Sequence, residues 1–183
     1  LLPIFCFSQV SITNSTPSTI IDFSSSMQTS VGTNPSTPFE GDGFQPNPTT
    51  LGRLNSNAWD IKGFSFGMLG FGGTQTVDAF GRGMVASGVV THGIYSYTDT
   101  PATVANPCLL VQPAAGEFAP GSITLRIRNN GTTNLTQLQV NYNLFVRNDE
   151  NRSNSFNFSH SNDNLIFQNE PLLDYASPDV ADA

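Results

Sequence analysis

Gly63-Phe64-Ser65-Phe66-Gly67 matches the Gly-x-Ser-x-Gly pattern that raises a nucleophilic serine on a sharp turn. That chemistry needs a strand before the serine, a helix after it and a histidine to take its proton. The residues that follow are Met68-Leu69-Gly70-Phe71-Gly72-Gly73, and so many glycines do not sustain a helix. His92 and His160 are the two histidines of the chain, and no local pattern ties either to Ser65. The stretch therefore reads as a β-strand running into a glycine turn. The same glycines lack the Gly-Lys-Ser/Thr of a phosphate-binding loop.

Two other groups of side chains carry chemistry. Asp149, Glu150 and Asp163 lie among asparagines on either side of Phe156 and Phe158, and hard oxygen ligands on loops suit a structural calcium ion. Their spacing is not that of an EF-hand, and a solvated turn is the plain alternative. No other cofactor is expected. Trp59, Tyr95, Tyr97 and Phe145 offer flat rings on which a pyranose could stack, with asparagine and glutamine amides to bond its hydroxyls. Phe145 is the most informative, because it falls on the polar face of its run. Trp59 reads as core, which leaves Phe145, Tyr95 and Tyr97 as the ligand-binding candidates.

These side chains must be positioned by strands. Ile123, Leu125 and Ile127 alternate with Thr124, Arg126 and Arg128. Leu138, Val140, Tyr142, Leu144 and Val146 alternate with amides, and Phe156 and Phe158 continue the rule. A period of two gives each strand one apolar and one polar face, as in antiparallel sheets packed on one side. Asn130-Gly131 begins a short polar link of hairpin type between the first two runs. Further strands are expected at Val10 to Thr13, Thr19 to Ser24, Arg53 to Phe66, Arg82 to Val90, Gly93 to Thr98, Cys108 to Gln112 and from Leu165 to Gln168. Residues 25 to 57 hold little apolar period and read as a long loop. About nine short strands between Gly, Pro and Asn turns predict an all-β antiparallel β-sandwich, jelly-roll-like.

Composition narrows the partners. The 183 residues carry a formal charge of −7, with one lysine, Lys62, against six arginines. An acidic chain is a poor partner for nucleic-acid phosphates or anionic membranes, and no membrane-inserting segment is expected. Charged residues make up only 11% of the chain, so solubility rests on hydroxyls and amides, a profile of extracellular β-proteins. Residues 1–8 end in the small-residue pattern of a secretory signal peptide, with Cys6 and Ser8 at the −3 and −1 positions of a cut before Gln9. That leaves Cys108 without a disulfide partner, in an apolar run that suits a buried, inert thiol. The expected organisation is a signal remnant over 1–8, a β-sandwich module over 9–175 and an acidic tail, or the start of a truncated remainder, over 176–183.

Several segments in order resemble a known module: Gly52-Arg53-Leu54-Asn55-Ser56-Asn57-Ala58-Trp59, Phe71-Gly72-Gly73-Thr74, Gly81-Arg82-Gly83, His92-Gly93-Ile94-Tyr95, Pro120-Gly121-Ser122-Ile123 and Arg152-Ser153-Asn154-Ser155-Phe156-Asn157-Phe158. Together they resemble an N-terminal β-sandwich module of large secreted bacterial surface proteins, often exported with type IX-type sorting. The resemblance spans roughly Ile21 to Tyr175 and carries no catalytic residues. It implies further strands beyond Ala183, so that the chain would be a fragment with its sandwich incomplete at the C-terminus. It also implies a buried or half-buried Arg152 paired with Asp149 or Asp163. The expected function is that of a non-catalytic extracellular module at the bacterial surface, for adhesion, display or contact with a glycan or surface protein. The alternative is an accessory N-terminal domain of a secreted hydrolase or nuclease whose catalytic domain lies outside this chain.

Overall fold

A computed structural model describes residues 10–21, 23, 39, 43–49, 52–97 and 108–181. It is nearly all-β, 33% strand against 4% helix, so the predicted class holds. The helical part among these residues is two 3-10 turns, Asp78–Phe80 and Pro171–Leu173. The chain forms two compact units, Leu1–Leu138 and Gln139–Ala183.

The first unit contains β1 (Val10–Ile12), β2 (Phe44–Gln45), β3 (Leu54–Asn55), β4 (Trp59–Phe64), β5 (Gly67–Leu69), β6 (Met84–Val85), β7 (Gly93–Tyr97), β8 (Cys108–Gln112), β9 (Ser122–Leu125) and β10 (Ile127–Asn129). β4 is the centre of a three-stranded antiparallel sheet in the order β5-β4-β9, with Trp59 opposite Leu125 and Ile61 opposite Ile123. β7 is the centre of a second sheet in the order β6-β7-β8, antiparallel to β8 and parallel to β6. β1 pairs with β10, and β2 with β3, both parallel. Parallel pairing departs from the purely antiparallel expectation.

An irregularity in β4 between Ile61 and Phe64 resets its alternation. Gly63 sits there at φ +117°, a conformation open to glycine and costly to other residues. Phe64, three positions after Ile61, is thereby buried with it. Its ring meets Phe80 edge-on at 5.0 Å and lies 5.1 Å from Phe118, while Phe39 meets Phe44 at 5.4 Å. With Leu54, Trp59, Leu69 and Ile94, the rings of Phe39, Phe44, Phe64 and Phe80 form one buried apolar cluster, against which the partly buried Phe118 packs.

Beside it lies a buried polar knot. The Asn55 side-chain oxygen accepts the Asn57 N–H at 3.0 Å and the Asn47 N–H at 3.2 Å. The Ser56 hydroxyl donates to the Gly73 carbonyl at 2.6 Å, and the Gly72 N–H donates to the Ser56 carbonyl at 2.9 Å. Arg126 donates from Nη2 to the Asn57 carbonyl at 2.6 Å and lies 4.3 Å over the Phe71 ring. Asn55-Ser56-Asn57, Phe71-Gly72-Gly73 and Arg126, distant in sequence, thus bond one another's polar groups, although Asn55 Nδ2 and Arg126 Nε are buried without a hydrogen-bond partner among the described residues.

The second unit contains β11 (Ser155–Phe156), β12 (Ser159–His160), β13 (Gln168–Asn169) and β14 (Tyr175–Ala176), paired antiparallel as β11 with β14 and β12 with β13. Tyr142 lies near-parallel to Phe158 at 5.8 Å and donates its hydroxyl to the Leu173 carbonyl at 2.6 Å. Among the described residues of this unit no hydrophobic side chain is buried.

Several expected elements differ: the strand expected over Arg82 to Val90 is confined to Met84–Val85, and the one expected from Leu165 begins only at Gln168. The alternating run from Gln137 to Arg147 is not a paired strand. The link at Asn130-Gly131 does not close a hairpin: the Asn129 side chain takes the Gly131 N–H at 2.9 Å, and β10 pairs with β1 instead. No strand forms over Thr19–Ile21 or at Phe23, the rest of that segment lying outside the described residues. Most of the expected loop over 25–57 also lies outside them, and its described part supplies β2 and β3.

Candidate functional site

Ser65 and Phe66 form the two-residue turn of the β4–β5 hairpin, with Phe64 opposite Gly67. The glycines of Gly-x-Ser-x-Gly are explained by backbone geometry: Gly63 at φ +117° and Gly67 at φ +138°. β5 follows the serine, not a helix, so the hairpin lacks the strand–turn–helix frame of a nucleophile elbow. The Ser65 hydroxyl donates to one Glu117 carboxylate oxygen, and the Ser65 N–H donates to the other at 2.9 Å. Those two bonds, with a smaller contribution from nearby His92, hold the Glu117 carboxyl below the usual glutamate range.

His92 is placed by its backbone, whose carbonyl accepts from Arg82 Nε at 2.6 Å. Its ring lies 5.9 Å from the Phe66 ring at an interplanar angle of 28°. Phe66 in turn stacks on Phe64 at 5.4 Å and 13°. The hairpin tip thus gathers an exposed serine, an aromatic ring 40% exposed, a half-buried imidazole and a carboxylate. His160 belongs to the second unit, where it pairs with Glu170 at 3.3 Å.

The aromatic candidates separate. Tyr95 and Tyr97 are buried on β7, and Tyr95 donates its hydroxyl to the Thr91 carbonyl at 2.9 Å. Burial raises the Tyr95 phenol above its usual range, partly offset by Arg82. β7 is a central strand whose five residues are all buried, so neither tyrosine offers a face to solvent. Trp59 is also buried. Phe145, in the second unit, is 57% exposed.

The carboxylate candidates are each engaged separately. Asp149 pairs with Arg147 at 3.2 Å, and Glu150 with Arg152. Asp163 accepts the N–H groups of Leu165 at 2.8 Å and Ile166 at 3.0 Å and the Ser161 hydroxyl at 2.9 Å, which hold it below the usual aspartate range. A shallow depression is lined there by His160, Ser161, Asn162, Asp163, Ile166 and Gln168. Among the described residues no three His, Cys, Asp or Glu side chains are grouped to hold a metal ion. Arg152, expected to be buried against Asp149 or Asp163, has an exposed side chain whose partner is its near neighbour Glu150. A pair two residues apart on a turn leaves both groups in water. Arg82, whose Nε donates to the His92 carbonyl at 2.6 Å, and Arg126, which donates to the Asn57 carbonyl, are partly buried instead.

Sequence reasoning missed Glu117 and Phe66. Glu117 lies in a Gly/Pro loop 52 residues from Ser65, and nothing local marks that pairing. Among the described residues no helix is long and apolar enough to cross a membrane. Neither a known protein family, nor a curated protein, nor a solved structure matches the chain.

Proposed function

We propose that this chain is a non-catalytic extracellular module of a secreted or cell-surface bacterial protein, with its strands arranged as a jelly-roll-like sandwich, and that it contacts glycans through Phe145. The observation that carries this is the exposure of Phe145, at 57%, in a segment whose alternate sequence positions Asn141, Asn143 and Arg147 are polar. A flat apolar ring flanked by amides suits a sugar, whose C–H face stacks while its hydroxyls bond the amides. The acidic, amide-rich composition supports an extracellular setting. The test is a glycan-array screen of the folded chain, with and without calcium. Binding lost on Phe145→Ala supports the proposal; a folded chain that binds no glycan removes it.

One observation favours a second use of the same run. Leu138, Val140, Tyr142, Leu144 and Val146 are also exposed, and the segment has no ladder partner among the described residues. An unpaired run whose aliphatic side chains are exposed is suited to strand addition by a protein partner, which would serve adhesion. Substituting Val140 and Leu144 by Thr would abolish that contact and leave glycan binding intact.

A further inference from the structure

We infer that the tip of the β4–β5 hairpin, built from Ser65, Phe66, His92 and Glu117, is a contact site for a neutral sugar. The inference rests on the glycan-contact reading above but uses different residues in a different unit.

Phe66 stands at a turn, where a polar residue is the usual choice, yet its ring is 40% exposed and lies near-parallel to His92. The buried rings Phe64 and Phe80, at 5.4 and 6.2 Å, support it from within. The ring is therefore held in place before any ligand arrives, which lowers the ordering cost of binding. Glu117 is fixed by the two Ser65 donors at the same turn. A carboxylate has about four acceptor positions, and Ser65 uses one on each oxygen. The remaining positions accept hydroxyl donors, in charge-assisted bonds that are stronger than neutral ones. A carboxylate held ionised by its neighbours also repels an acidic sugar, as does the net charge of −7. Stacking surface, fixed anionic acceptor and imidazole together match a neutral polyhydroxylated ring. Hydrolytic use of the same groups would place the imidazole between serine and carboxylate, whereas Ser65 donates directly to Glu117.

The chain's two histidines make a direct test, because each reports on one unit. The full chain is titrated with neutral gluco-, manno- and xylo-oligosaccharides and, separately, with a sialylated trisaccharide, while the imidazole resonances are followed by NMR. The expected result is a saturable shift of the His92 ring signals by at least one neutral oligosaccharide, an unmoved His160, and no response to the sialylated sugar. Phe66→Ala should weaken that binding about tenfold, and Glu117→Gln should weaken it with the fold unchanged by circular dichroism. Phe145→Ala should leave it intact. Static His92 signals with every neutral oligosaccharide overturn the inference. So does array binding that survives Phe66→Ala and Glu117→Gln but is lost on Phe145→Ala, an outcome that keeps the proposed function.

Discussion

Replacing Gly63 by alanine tests whether the Gly-x-Ser-x-Gly glycines serve backbone geometry. Gly63 has φ +117°, and a methyl carbon built on it would lie 2.5 Å from Gly121 Cα and 2.7 Å from the Pro120 carbonyl oxygen. Both neighbours are backbone, so neither can swing aside as a side-chain end would. The unfavourable φ costs about 1–2 kcal/mol, and pushing the β9 approach away costs about 1–3 kcal/mol more. The sum, about 2–5 kcal/mol, is a large share of a domain's stability. For a chain of this size a 3 kcal/mol loss lowers the melting temperature by roughly 6–12 °C. Trp59, the single tryptophan, is buried next to the affected sheet and reports unfolding by fluorescence in urea. Gly70→Ala is the control: a methyl there meets nothing within 4 Å, so the urea midpoint should hold or rise slightly. A Gly63→Ala variant within about 0.5 kcal/mol of the parent, or a Gly70→Ala variant equally damaged, would refute the backbone explanation.

Arg126→Ala should destabilise the first unit by about 2–3 kcal/mol in urea, combining a lost charged hydrogen bond to Asn57 with a lost cation–π contact on Phe71; Arg152→Ala should change stability by no more than about 0.5 kcal/mol, its partner being a neighbour in solvent. Glu117 has its folded pKa depressed below the ordinary 4.5, so its contribution is present above that value and lost as pH falls through the folded pKa. Glu117→Gln should therefore flatten the acid limb of the stability profile and leave its alkaline limb unchanged, as read by melting temperature against pH. Burial pushes the Cys108 thiol above its ordinary 9.0, so alkylation at neutral pH should be slow in the folded chain and speed up on unfolding, followed by mass spectrometry.

The class of fold was legible because alternation is local: Ile123, Leu125 and Ile127 alternate with polar residues in the sequence itself, whereas β4 buries Trp59, Asp60 and Ile61 in succession. Pairing is not local. Whether Ile127 continues a hairpin or lies parallel to Val10 depends on hydrogen bonds more than a hundred residues apart, and Asn130-Gly131 could not announce that the Asn130 N–H goes to the Ile12 carbonyl and the Gly131 N–H to the Asn129 side chain. Two of the three binding candidates, Tyr95 and Tyr97, proved buried for a related reason. A period of two places Tyr95 and Tyr97 on one face of β7, but it does not distinguish a solvent face from a second buried face. β7 lies between β6 and β8 and is buried along its whole length, which turns an expected platform into core.

The Gly-x-Ser-x-Gly stretch shows the opposite case, where the plain expectation of a strand meeting a glycine turn was correct and still incomplete. The turn is there, and both flanking glycines are required by positive φ. What the sequence could not convey is that Glu117 and His92, 52 and 27 positions downstream of Ser65, converge on that turn. The hydroxyl that would have been a nucleophile instead fixes a carboxylate. The same residues that exclude the elbow geometry thus assemble an acceptor beside an exposed ring, and it is this convergence, not the motif, that gives the hairpin tip its chemistry. If the motif glycines serve only to bring that acceptor into place, then Gly67→Ala, at φ +138° with nothing nearer than the Gln75 side chain at 3.5 Å, should strain the turn by about 1–2 kcal/mol. It should also weaken any sugar contact read at His92 without touching that at Phe145; a full loss of both, in a chain that remains folded, would show that the two contacts are not independent.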